Sequence, residues 1–69
     1  MQLGKLIRKK RRERELSQKK LGEMIGVSMV SIRAWEQERF APRLAHWNFL
    51  RKFLDISYDE ISNEEKGKS

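Results

Sequence analysis

In the stretch Leu16-Ser17-Gln18-Lys19-Lys20-Leu21-Gly22-Glu23-Met24-Ile25-Gly26-Val27-Ser28, two serines bracket an apolar segment that ends on a glycine. Serine is a good helix N-cap because its hydroxyl oxygen accepts a free N–H of the first turn. Leu21, Met24 and Ile25 then fall at three- and four-residue spacing, so a helix is predicted over about 17–25. Gly26 can adopt the left-handed backbone that closes a helix, and Ser28 can cap a following segment in which Ile32 and Trp35 share one side. That segment predicts a helix over about 28–36.

Outward from this pair, Leu3, Leu6 and Ile7 share a face if residues 3–14 are helical, and the unbranched Lys, Arg and Glu that follow favour helix. Residues 37–42 lack periodicity, and Pro42 biases Ala41 away from helix, which predicts a loop. Leu44, Trp47, Leu50, Phe53 and Leu54 predict a helix over about 43–54. A short fifth helix follows from Ser57 as cap, Asp59 and Glu60 in the first turn and Ile61 inward. The class is all-α, with one domain over 1–61 and a polar tail over 62–69.

Two short helices joined by a glycine-containing turn form the geometry in which the second can lie in a DNA major groove while the first crosses the backbone. Gly22, Gly26 and Ile32 supply the small side chain, the turn and the aliphatic anchor of such a crossing. With Ser31-Ile32-Arg33-Ala34-Trp35-Glu36, Pro42 and Leu54-Asp55-Ile56-Ser57-Tyr58-Asp59-Glu60-Ile61, the run from Leu16 to Ser28 resembles the Cro/C1 (Xre-like) helix-turn-helix family. The resemblance implies a compact five-helix domain of the lambda-repressor type that binds operator DNA, usually as a two-fold homodimer.

Site roles follow from the resemblance by position. Ser28, Met29, Val30, Arg33 and Ala34 match exposed positions of the recognition helix. Arg33 is the long donor among them, suited to guanine O6 and N7, while Met29, Val30 and Ala34 suit thymine methyls, which implies a T-rich readout. Gln18 matches a phosphate contact, and Lys19, Ser31, Arg39 and Arg43 are further backbone contacts. Arg11 and Glu36 match an ion pair joining the first helix to the end of the third. Glu15 and Glu38 stand where the family often has glycine, so those turns either avoid positive φ or carry strain of about 1 kcal/mol.

Charge agrees with a polyanionic partner. Residues 1–20 carry nine Lys/Arg against two Glu, residues 21–52 five against three, and residues 53–69 two against five, so the positive field lies at one end of a chain of formal charge +6. Within it, the run Arg8–Arg12 is either a solvated face or a DNA contact. No run approaches the ~18 apolar residues that span a bilayer, and no signal-peptide h-region is present. The expected location is the cytoplasm, consistent with the absence of cysteine.

Catalysis needs convergent acid, base or nucleophile, whereas this chain has one His, no Cys and carboxylates interleaved with Lys and Arg. Neither an enzyme nor a metal site, cofactor or small-molecule effector is expected. His46 is read as a surface residue, and Trp35 and Trp47 as core. Phe40, Phe49 and Phe53 exceed what a core this small holds, and Phe49, Phe53 and Tyr58 form a possible dimer surface. The apolar reader face also fits a different class, a protein-interaction module on the same fold, such as an antirepressor or antitoxin-like adaptor.

Overall fold

Four helices make up the computed structural model, which describes residues 3–57: α1 (Leu3–Glu13), α2 (Gln18–Ile25), α3 (Met29–Glu36) and α4 (Leu44–Phe53). Their bounds agree with the sequence reading to within one residue at each end, caps aside. The fifth helix, Tyr58 and the polar tail lie outside the described residues.

The two serines do what their chemistry predicts. Ser17 Oγ accepts from the Lys20 N–H at 2.9 Å, and Ser28 Oγ accepts from the Ser31 N–H at 3.1 Å. At the other ends, all four helices close through a left-handed residue: Glu15 (φ 55°), Gly26 (φ 81°), Glu38 (φ 58°) and Asp55 (φ 55°). In each, the next residue's N–H bonds back five positions: Leu16 to Arg11, Val27 to Gly22, Arg39 to Ala34 and Ile56 to Arg51. Glu15 and Glu38 therefore carry the strain that the sequence left open.

Glycine removes that strain at the cost of a freer unfolded chain. The left-handed conformation costs an L-residue ~1–2 kcal/mol, and the entropy lost with glycine is ~0.4–1 kcal/mol. Glu15→Gly, at an exposed site, is expected to raise stability by about 0.5 kcal/mol or more, a gain of several degrees in the thermal midpoint. An unchanged or lower midpoint would show that the Glu15 side chain stabilises the turn in another way.

Leu6, Ile7, Leu21, Ile32, Trp35, Leu50, Leu54 and Ile56 form the buried cluster, with Leu16, Ile25, Val27, Trp47 and Phe53 packed at its edge. α3 packs against both α1 and α2, and α4 leans on α2. Gly4 is the close approach of α1 to α3: a Cβ there would lie 2.5 Å from the Trp35 carbonyl oxygen and 2.7 Å from that of Glu36. Nothing in the periodicity of α1 marked it.

Three expectations need correction. Trp47 is half-buried at the rim of the cluster, so Trp35 alone of the two tryptophans is central. His46 is also half-buried, its ring 5.6 Å from that of Trp35, because it lies on α4 one residue from Trp47 and shares its inward side. Ala34 is 6% exposed. With α1 and α2 on two sides of α3, the buried arc of that helix is wider than one face and takes in Ala34 as well as Ile32 and Trp35. Phe40 and Phe49 are exposed, and Phe49 stacks on Phe53 at 6.2 Å on the surface of α4.

Candidate nucleic-acid interface

Burial of Ile32, Ala34 and Trp35 leaves α3 one open edge. Met29, Arg33 and Gln37 recur along it at four-residue spacing, with Val30 beside them at 65% exposure. Ser28 and Ser31 sit at its start, where the Ser28 hydroxyl caps the helix and lies 3.3 Å from that of Ser31. Ala34 does not join this edge and is withdrawn from the base-contacting set.

Beside the edge runs an open cleft of about 450 Å³, bounded by the C-terminal half of α1, the start of α2 and the outer side of α3. Its floor is an ion pair. Arg11 Nε donates to Glu36 Oε2 at 2.6 Å and Arg11 Nη2 to Glu36 Oε1 at 3.0 Å, a two-pronged contact with the side chains only 10% and 4% exposed. Arg11 Nη1 donates to the Leu16 carbonyl at 2.7 Å, so one side chain ties α1, its closing turn and α3 together. Gln18 is the third member, donating from Nε2 to Glu36 Oε1 at 3.1 Å. Its amide is thus oriented at the α2 N-terminus, where first-turn N–H groups favour an anion.

Of the residues singled out from sequence, Gln18 and Arg33 line the same cleft, with Met29 and Val30 exposed on the same helix. Lys19 is exposed one residue into α2. Arg39 and Arg43 are exposed beyond α3, Arg43 as the N-cap residue of α4 without a side-chain cap bond, and neither lines the cleft. Ser31 is half-buried. Arg8 and Arg12, which the sequence left between a solvated face and a DNA contact, also line the cleft, as does Gln37, which had not been assigned to a site. Four-residue spacing from Arg8 to Arg12, and from Arg33 to Gln37, was the available signal. Among the described residues, no group of His, Asp or Glu has the arrangement of a metal site, and no helix is long and apolar enough to cross a membrane.

A family model described as Helix-turn-helix matches residues 7–61, which spans α2, the turn and α3 with flanking helices on both sides. The chain belongs to the Cro/C1-type helix-turn-helix family. No curated protein and no solved structure matches it. Membership makes the chain a DNA-binding helix-turn-helix regulator in general terms, in a family that is regulatory and not usually enzymatic.

Proposed function

We propose that this helix-turn-helix chain is a cytoplasmic, sequence-specific transcriptional repressor that reads the major groove of double-stranded DNA with α3. The observation that carries the reading is the convergence of Gln18 at the start of α2 and Arg33 on α3 upon one cationic cleft, beside the exposed Met29 and Val30. Ser28, Met29, Val30 and Arg33 address bases, and Gln18, Lys19, Ser31, Arg39 and Arg43 address phosphates. The stacked Phe49 and Phe53, together with Tyr58, form the homodimer surface. Two α3 helices then meet groove segments about 34 Å apart on a partly palindromic operator.

Selection of bound duplexes from a random pool tests this, with a palindrome of T-rich half-sites as the expected outcome. Arg33→Ala should weaken the selected site by about 5- to 150-fold, the equivalent of ~1–3 kcal/mol, and relax preference at one base pair per half-site. Arg43→Ala should weaken all sequences evenly. If Arg33→Ala leaves the base preference intact, that side chain is not the reader.

A second reading has one observation in its favour: Met24, Met29 and Val30 are all exposed on α2 and α3. Such a face also suits a protein partner, making the chain an antirepressor or antitoxin-like adaptor. Titration with random duplex separates the two, since phosphate contacts make affinity fall steeply with salt. A flat response, or no binding at low salt, selects the adaptor.

A further inference from the structure

Folding splits the run Arg8-Lys9-Lys10-Arg11-Arg12, which reads in sequence as one basic patch. Arg11 turns inward to Glu36, and Lys10 is half-buried. Lys9 is exposed but lies outside the cleft, whereas Arg8 and Arg12, one helical turn apart, both line it with Arg33.

The charge within the cleft is unbalanced. Its lining holds four arginines, Arg8, Arg11, Arg12 and Arg33, and a single carboxylate, Glu36, so the sum is +3. Both oxygens of Glu36 are already engaged by Arg11 and Gln18. Among the described residues, no carboxylate pairs with Arg8, Arg12 or Arg33. Three guanidinium groups thus border one open space without a counter-charge, and an anion seated there relieves their mutual repulsion.

The lining also restricts what that anion is. Every residue in it is polar or charged, so it offers no aromatic ring and no aliphatic side chain against which a nucleobase or a hydrophobic effector would pack. Planar guanidinium groups match the oxygens of a phosphate in pairs. The geometry points to a phosphodiester of the DNA backbone as the occupant, held by Arg8 and Arg12, which makes α1 a third DNA-contacting element beside α2 and α3. The inference rests on the DNA-binding reading above and adds to it a pair of contacts outside the helix-turn-helix itself.

Anisotropy titrations of the full chain with a random-sequence duplex, at salt concentrations from about 50 to 200 mM, test it. Each phosphate contact contributes a slope of ~0.9 in log affinity against log salt, a factor of about 3.5 over that range. Arg8→Gln and Arg12→Gln should each shrink the salt-driven loss of affinity by about 3.5-fold per subunit, and the double variant by about 12-fold. Lys9→Gln removes the same charge from the same helix and should leave the slope unchanged. Equal slopes for Lys9→Gln and the two arginine variants would mean that the run acts through net charge, which overturns the cleft as a site while leaving DNA binding intact. Failure of the unmodified chain to bind duplex at low salt would instead overturn the DNA-binding reading, and this inference with it.

Discussion

Glu36→Ala is expected to abolish cooperative folding of the chain at physiological temperature. The carboxylate is 4% exposed and accepts two bonds from Arg11 and one from Gln18. Removing it strands a guanidinium that is itself only 10% exposed, and breaking a buried pair from one side costs ~3–5 kcal/mol. A core this small supplies a net stability of roughly the same size, ~3–5 kcal/mol, so the variant has little left. The intact pair need not be a large net contributor, because both partners lost their water to form it. Arg11→Met combined with Glu36→Leu should therefore recover most of the loss. Full recovery is not expected, since the Leu16 carbonyl then lacks its bond from Arg11 Nη1, a deficit of about 1 kcal/mol. Urea unfolding of the three variants reads this directly. A cost below about 1 kcal/mol for Glu36→Ala alone would mean that water replaces the carboxylate.

The same ion pair illustrates what was legible in the sequence. Arg11 and Glu36 were assigned through family resemblance, Gly22 through the close crossing that a helix-turn-helix requires, and Ser17, Ser28 and Gly26 through local chemistry that acts within one helix turn. Signals of that kind survive in a single chain because the interacting groups lie within a few residues of each other. Beyond that crossing, features set by how helices pack were not legible. Ala34 is enclosed because α3 has a helix on each of two sides, a condition that the pattern of α3 alone does not encode. Gly4 matters through carbonyls more than thirty residues away in α3. The division of the Arg8–Arg12 run depended on the rotation of α1 about its axis, which the Gly4 contact and the Arg11 pair together set. Asp55 closes α4 in the left-handed region without a glycine to announce it, as a short polar side chain tolerates that conformation.

Gly22→Ala should lower stability and DNA recognition together, because the crossing of α2 and α3 at that position governs both. Helix propensity alone favours the substitution by about 1 kcal/mol, because Gly22 lies inside α2. The new methyl, however, would stand 2.6 Å from the Val27 carbonyl oxygen and 3.3 Å from the Ser28 carbonyl carbon. These are backbone atoms of the turn, and they are not free to retreat: the Val27 N–H donates to the Gly22 carbonyl at 2.8 Å, and Ser28 caps α3. Relief comes only by moving α3 away from α2, so overpacking of ~1–3 kcal/mol outweighs the propensity gain. We expect a lower unfolding midpoint and at least a tenfold loss of affinity for the selected operator, because Arg33 no longer shares a cleft with Gln18. Gly26→Ala is the contrasting variant. A Cβ at Gly26 meets nothing within 4 Å, so only its φ of 81° resists, a strain of about 1–3 kcal/mol that leaves the crossing of α2 and α3 in place. It should lower the midpoint while the protein that remains folded keeps its base preference. If Gly22→Ala proves at least as stable as the parent and binds the operator equally well, the α2–α3 contact is looser than these distances require.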